Sequence, residues 1–342
     1  MKITHIHIER FRGFQNEDFE VGSLLTAIAG QNGTQKSTLL GIITQTFTLK
    51  TEDSMRVEKP LCGGSYISAF KDKFRLSPTF DKPKGHEWTI SFDAGMDDFT
   101  VESIKRTGDP NVRFWKKGAR QEGDGYISFP TIFLSLKRLV PVAEEAKIIT
   151  DDTLLTQEEL NEFKQLHNKI LIAQTPISSA TTITSKNKQS IGVSTELYDW
   201  NQNSMGQDNL GKIILALFSF KRLHDKYPRQ YKGGILAIDE MDATMYPASQ
   251  VELLKVLRKY ASKLNLQILF TTHSMSLLKA MDDLVQEVTK KEETANQAKI
   301  LYLKKVDDKI AIKQGVNFKG IQLDLNVVAE GNNRKKNRIT AY

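Results

Sequence analysis

A short apolar run, LLTAIA at residues 24–29, leads directly into the stretch GQNGTQKST, after which Leu39, Leu40, Ile43 and Phe47 recur at helical spacing. Six apolar residues read as a buried strand and the later periodicity as a helix, so the polar stretch is the loop between them. No other feature limits the fold as much, because a strand, a tight loop and a helix N-terminus build an anion site largely from backbone N–H groups. Gly30, Gly33, Lys36 and Ser37 fit the phosphate-loop template GxxxxGK[ST] at every position but one, where Gln35 stands in place of glycine. In that template Lys36 reaches the β- and γ-phosphate oxygens and the Ser37 hydroxyl binds Mg²⁺, with Asn32 and Thr38 in the same loop and turn. Glycine before the lysine normally lets the backbone take an unusual φ and approach the phosphate closely, so Gln35 bears on geometry and on turnover. Taken alone, the segment also suits an ordinary glycine-bearing turn.

Further along, Ile235–Ile238 run straight into Asp239 and Glu240. In a phosphate-loop enzyme the first carboxylate helps hold Mg²⁺ and the second polarises the attacking water. Adjacent strand residues point to opposite sides, which makes two roles natural. A strand that merely ends in a charged turn has the same appearance. QILFTTHS repeats the layout and ends in His273, placed to hydrogen-bond a γ-phosphate or the attacking water, although a lone histidine is more often structural. Upstream, NSMGQDNLGKIILALF sets Ser204, Gly206 and Gln207 at the start of a helix whose apolar stripe is Leu210, Ile213, Ile214, Leu217 and Phe218. Such a start offers a hydroxyl and free N–H groups to an anion, and a plain N-cap explains it equally well in isolation.

The remaining segments suggest three parts. Residues 1–140 hold the phosphate loop and, from about 50 to 130, short runs such as EWTISFD and VRFWK that read as an antiparallel β lobe. Residues 141–200 comprise a polar, helix-prone segment and TPISSATTITSKNKQS at 175–190, which reads as a mobile linker. Residues 201–342 carry SMGQ, the acidic strand, a helix opened by Pro247, the histidine strand and two terminal strands, AKILYLKKV and DKIAIKQ. Strand and helix alternate there, which argues for a mostly parallel sheet. No heptad run is long enough for a coiled-coil arm.

Charge and cysteine usage narrow the class. The 342 residues contain 48 Lys+Arg against 41 Asp+Glu, a formal +7 that suits a polyanionic partner such as DNA without requiring one. Cys62 is the sole cysteine, which excludes an intrachain disulfide framework and any cysteine-rich zinc module. No run of 18 apolar residues occurs and the opening MKITHIHIERFRGF has no signal-peptide core, so a cytoplasmic chain with no membrane partner is expected.

The order phosphate loop, β lobe, helical region, SMGQ, DE strand, TTH strand resembles the ABC-type ATPase heads of the SMC, RecF and OLD-like families. IHIERFRGFQNEDFEVGSLLTAIAGQNG is similar to the RecF and OLD type of start, in which the arginine of the FRGF segment, Arg12 here, commonly lies near the nucleotide. DEMDATMYP resembles the family stretch of DE, D-loop and His-Pro, with Tyr246 and Pro247 at the last pair, and SMGQ is a shortened form of LSGGQ. FLSLKRLVPVAE at 133–144 is similar to a stretch in bacterial anti-phage ATPases of the Septu and OLD-like groups.

The resemblance implies an α/β P-loop NTPase of ABC-ATPase type: a mixed sheet with an antiparallel β lobe and a helical lobe. It further implies ATP and Mg²⁺ as cofactors, with Ser37 and Asp239 on the metal and Glu240 and His273 catalytic. Nucleotide would be sandwiched in a homodimer or higher homo-oligomer, each ATP held by one phosphate loop and by Ser204, Gly206 and Gln207 of the other copy. OLD-like proteins usually continue into a Toprim nuclease domain, and nothing after residue 320 supplies its spaced acidic pair; Asp307 and Asp308 are adjacent and Asp324 stands alone. The expectation is therefore an ATPase switch of a bacterial anti-phage complex whose nuclease or toxin effector lies on a separate polypeptide, or a chain that ends just ahead of such a domain. A RecF-like DNA-repair ATPase and a catalytically weak assembly scaffold are the alternatives. Arg334, Lys335, Lys336 and Arg338 form a basic tail that suits either phosphate-backbone contact or plain solvation.

Overall fold

The computed structural model of the chain describes residues 1–66, 73–93, 95–105, 112–118, 124–139, 148–151, 154–173, 175–185 and 189–324. The basic tail and residues 140–144 of FLSLKRLVPVAE lie outside the described residues. The chain opens with a hairpin, β1 (Ile3–Phe11) and β2 (Phe14–Glu20), in which Ile6 and Ile8 point inward and His5 and His7 outward, as strand alternation requires. β3 (Leu25–Gly30) leads through the phosphate loop into helix α1 (Lys36–Thr44), and the short β4 (Phe47–Thr48) follows. Phe47, expected on the helix, is thus one strand further on; the polar Gln45 and Thr46 intervene and its ring packs against Phe92 and Phe129. Then β5 (Glu87–Phe92), β6 (Phe99–Lys105) and β7 (Val112–Lys116) return to the hairpin and complete an antiparallel sheet in the order β2-β1-β5-β6-β7.

Next come β8 (Ile127–Ser128), paired with β4, and β9 (Thr131–Leu134). β10 (Ile149–Asp151), helix α2 (Gln157–Leu171), β11 (Ser179–Thr184) and β12 (Gln189–Ser194) follow, the three strands pairing antiparallel in chain order. Half of the stretch read as a mobile linker, 175–190, is therefore sheet: its Thr181, Thr182 and Ile183 are β-branched and pair with Gly192, Ile191 and Ser190. The rest alternates as expected: α3 (Met205–Lys226), β13 (Gly234–Ile238), α4 (Pro247–Lys263), β14 (Leu266–Thr272), α5 (Met275–Val288), β15 (Ala298–Val306) and β16 (Lys309–Lys313).

Six of these strands form the central sheet in the order β16-β15-β3-β14-β13-β9, parallel throughout except at β15–β16. Its strands are apolar on both faces, so each face carries a core. Leu236, Ile238, Ile268 and Phe270 pack with α3, α4 and α5, whereas Ile235, Ala237, Leu269 and Leu301 pack with α1 and the antiparallel sheet. Truncating a wholly buried core ring such as Phe218 or Phe270 costs about 3–5 kcal/mol by cavity formation. This two-sided burial fixes where the parallel strands end, and the chemistry sits at those ends. Among the described residues no helix is long and apolar enough to cross a membrane.

Candidate functional site

β3 stops at Gly30 and α1 starts at Lys36, so the loop between them is held at both ends by buried elements. Gly33 and Gln35 both have left-handed backbones, with φ of 81° and 62°. Gln35 itself adopts the conformation that glycine usually supplies, at a cost of about 1–2 kcal/mol for a residue with a Cβ. Its side chain turns toward the β1–β2 turn, where a Cβ on Gly13 would lie 2.8 Å from Gln35 Nε2. Lys36 is buried, and its Nζ donates to the carbonyls of Gly30 (3.0 Å) and Gln31 (2.9 Å), bridging its own loop. Burial pulls the lysine pKa down, and the carboxylates of Glu240, Asp239 and Asp242 oppose that shift. Thr38 lies in the first turn of α1, half-buried.

The acidic pair meets this loop because of sheet register. Ile238 pairs with Phe270 on one side and Leu134 on the other, which sets Asp239 beside Thr271. Asp239 Oδ1 accepts from Ser37 Oγ at 2.8 Å and from Thr271 Oγ1 at 2.7 Å. Glu240 has a left-handed backbone, φ 48°; its N–H donates to Thr271 Oγ1 at 2.6 Å and its carbonyl accepts from Arg138 Nη2 at 2.7 Å. His273 is exposed at the end of β14, its backbone N–H directed at Asp242. With Gly30, Gln31, Asn32, Thr272 and Tyr302 it lines a small cavity of about 180 Å³ beside the loop. Gly30, Asn32, Lys36, Ser37, Asp239, Glu240 and His273 thus converge on one end of the parallel sheet.

Two groups make their side-chain contacts outside the phosphate loop. Arg12 is committed to Asp81, with Nε and Nη2 donating at 3.2 and 3.0 Å, and to the Arg75 carbonyl at 2.7 Å. Burial favours the neutral Asp81 carboxyl, but hydrogen bonds from Arg12, the Ser77 N–H and His86 outweigh it and hold the pKa below the ordinary range. Arg12 lines a separate cavity of about 660 Å³ with Arg10, Arg75 and His86. Ser204 is the N-cap of α3 in a reciprocal capping box: its Oγ accepts from Gln207 N–H and Gln207 Oε1 accepts from the Ser204 N–H. Gln207 Nε2 donates to Tyr198 Oη at 2.7 Å, and a Cβ on Gly206 would sit 2.6 Å from the Thr244 carbonyl. These partners belong to the helix start and to the loop after Glu240, not to the phosphate loop.

Three residues escaped the sequence reading: Thr271, Arg138 and Asn209. Thr271 precedes His273 by two, and its hydroxyl one strand across from the acidic pair was a usable signal. Arg138 follows β9, in FLSLKR, and nothing local marks it. The described residues hold no cluster of three or more His, Cys, Asp or Glu arranged to ligate a metal ion. Mg²⁺ needs none, since it keeps several waters and binds through one or two protein oxygens plus substrate phosphates. Ser37 Oγ and Asp239 Oδ1, already in contact, fit that donor set.

A family model described as an AAA ATPase domain matches the chain over residues 1–191 and 135–278. No curated protein matches the sequence. Among solved structures, an SMC head bound to the C-winged helix domain of ScpA aligns with a TM-score of 0.54 at 14% identity, over 94% of this chain and 100% of that one. An SMC head domain with an extended coiled coil, bound to the C-terminal domain of ScpA and derived from Pyrococcus furiosus, aligns with a TM-score of 0.50 at 13% identity, over 96% and 99%. At such identities the likeness is one of fold, and the fold is the P-loop NTPase fold of SMC heads, as the order of motifs implied.

Proposed function

The chain belongs to the AAA ATPase domain family, and from that premise we propose that it binds ATP with Mg²⁺, hydrolyses it, and uses the cycle to close and open a dimer of heads. One observation carries the reading: Ser37 and Asp239, 202 residues apart in sequence, meet at 2.8 Å immediately beside the loop that Lys36 spans. That contact supports reading together two motif residues that each have a bland explanation alone.

The roles follow from position. Lys36 exchanges the Gly30 and Gln31 carbonyls for β- and γ-phosphate oxygens, retaining its charge by trading neutral acceptors for anionic ones. Ser37 Oγ and Asp239 would hold Mg²⁺, which would supply positive charge against the charge developing on the phosphates. Glu240 orients and polarises the attacking water, and His273, exposed at the next strand end, hydrogen-bonds the γ-phosphate side. Ser204, Gly206 and Gln207 complete the site from a second copy, where the N-terminus of α3 offers a hydroxyl and a positive dipole end to phosphate. ATP then acts on dimer geometry through ordinary linkage.

The biological setting we propose is the switch subunit of a bacterial anti-phage complex with a separate nuclease or toxin effector. It rests on the FLSLKRLVPVAE and DEMDATMYP stretches. Solved heads of this fold that carry a ScpA domain support docking of a separate protein. A second reading, an assembly scaffold that binds ATP and turns it over poorly, is favoured by Lys36 lying on its own loop carbonyls and by Gln35.

Light scattering with and without ATP and Mg²⁺, run beside phosphate release, separates the two. Glu240→Gln is expected to cut turnover by about 100-fold or more and to accumulate as an ATP-dependent dimer or higher oligomer. If ATP binds, neither form turns it over and the oligomer is the same without nucleotide, the switch reading falls and the scaffold replaces it.

A further inference from the structure

Arg138 is a charged side chain with only 3% of its surface exposed, and neither nucleotide nor metal binding accounts for it. Burial brings its pKa down to about 10, with Asp239, Glu240 and Asp242 opposing the fall, so it stays charged at neutral pH. A buried charge is retained only where its hydrogen bonds are filled. Here they are filled from three places. Nη1 donates to the Leu134 and Ser135 carbonyls at 3.2 and 3.1 Å, at the end of β9. Nη2 donates to the Glu240 carbonyl at 2.7 Å, and Nε to Asn209 Oδ1 at 2.7 Å. Asn209 is fully buried on α3, two residues after Gln207, and its Nδ2 donates to the Ala243 carbonyl at 3.0 Å.

We propose that Arg138 is the positioning residue for Glu240, and that through Asn209 it makes the orientation of that carboxylate depend on the seating of helix α3. The inference rests on the reading of Glu240 as the residue that polarises water. Glu240 has a left-handed backbone, a conformation a residue with a Cβ holds only when its surroundings fix it. Its peptide groups are fixed on both sides, the N–H by Thr271 Oγ1 and the carbonyl by Arg138. Thr271 belongs to β14 and does not move with α3. Arg138 does belong to that linkage, because the same guanidinium that holds the Glu240 carbonyl also holds Asn209. A shift of the α3 start on meeting phosphate pulls on Asn209, and thereby on both the Glu240 and Ala243 carbonyls. Lysine cannot substitute: a single ammonium lacks the fixed fork that binds Asn209, the strand end and Glu240 at once.

Phosphate release by wild type and by Glu240→Gln is measured first. If Glu240→Gln keeps wild-type turnover, the assignment of Glu240 is wrong, and the inference about Arg138 falls with it for that identifiable reason. Next, Arg138→Lys, which keeps the buried charge, and Asn209→Ala, which leaves Arg138 on Glu240, are compared for ATP affinity with a fluorescent analogue, for kcat and for melting temperature. Misplacing a reacting group by about 1 Å costs about 100-fold, so Arg138→Lys is expected to lose about that factor in kcat while ATP affinity stays within about threefold. Asn209→Ala is expected to lose kcat in the same selective way, by a smaller factor. In single turnover, Arg138→Lys added to Glu240→Gln is expected to cost nothing further, because the carboxylate it positions is already gone. Loss of affinity and kcat in parallel with melting temperature, or an equal loss in the Glu240→Gln background, overturns the proposal and leaves Arg138 a structural ion.

Discussion

Gln35 replaces the glycine that a phosphate loop normally has before its lysine, and it does so without moving the backbone out of the left-handed region. Its side chain points at Gly13, and its Oε1 is buried without a hydrogen-bond partner. Gln35→Gly therefore removes a left-handed Cβ, about 1–2 kcal/mol, and an unpartnered oxygen, while adding less than about 1 kcal/mol of unfolded-chain entropy. The expected outcome is a protein more stable by about 1 kcal/mol in urea melts, with ATP affinity within about threefold of wild type. A gain in affinity of about tenfold or more would mean that the glutamine obstructs the phosphate cradle after all. At this scale the sequence shows what spacing and strand ends encode: Lys36, Ser37, Asp239, Glu240 and His273 all sit at junctions marked by a change of hydrophobic pattern. Thr271, Arg138 and Asn209 were not legible, because their contacts depend on which strand lies beside β13 and in what register, and no local pattern carries that. For Arg12 the hidden part was its partner. Its motif is local, whereas its partner Asp81 comes from the β insertion.

Helix α2 shows how an element read only as polar becomes a brace. Its Thr156 cap forms a reciprocal box with Glu159, and the Glu159 carboxylate also receives Arg222 of α3 at 2.8 and 2.6 Å. One turn on, Glu162 takes Lys221 of α3 at 2.6 Å and the Tyr260 hydroxyl of α4. Its inner face carries Phe163 and His167, stacked at 5.8 Å, and both ring nitrogens of His167 are buried without a hydrogen-bond partner. Burial drives the His167 pKa from 6.5 down to about 4, opposed by the neighbouring Asn168 side chain. Folded, the ring stays neutral until about pH 4; unfolded, it takes its proton near 6.5, so the unfolded state binds more protons between these values. Stability thus falls as pH drops through that window, by about 2 kcal/mol from this residue at about pH 5. His167→Leu should lose correspondingly less stability between about pH 7.5 and about pH 5 in paired urea melts, and should be no less stable at the higher pH. If both proteins lose the same amount, the buried imidazole is not a source of acid sensitivity. The helix-prone composition announced the helix, but the serine- and threonine-rich strand β11 beyond it was hidden, since its composition is that of a loop and only its pairing with β12 makes it sheet.

Across the whole molecule, the central sheet gathers β3 from the first tenth of the chain, β13 and β14 from its last third, and β15 after them, so the phosphate loop and the acidic strand are joined only by folding. The start of α3 is held by different contacts: Gly206 against Thr244, Gln207 against Tyr198, and Asn209 against Ala243. One copy therefore presents a phosphate loop with its carboxylates, and separately the start of α3, whose first turn carries Asp208. On the proposed reading such a head has two half-sites, and a two-fold dimer would complete both at once. The consequence can be tested without knowing the effector. Lys36→Ala removes the cation that the phosphates need and keeps the α3 start, whereas Ser204→Arg keeps the phosphate loop and blocks the start. Each variant alone is expected to release phosphate at less than about one hundredth of the wild-type rate. Mixed in equal amounts, half of the dimers are hybrids, and each hybrid contains one site made of two intact halves and one made of two damaged halves. The mixture should therefore recover up to roughly a quarter of wild-type turnover, rising with total protein concentration as hybrids form. A head that completes its site within one chain gives no recovery on mixing at any concentration, and that result would remove the dimer from the mechanism while leaving the phosphate-loop chemistry of Lys36, Ser37 and Asp239 intact.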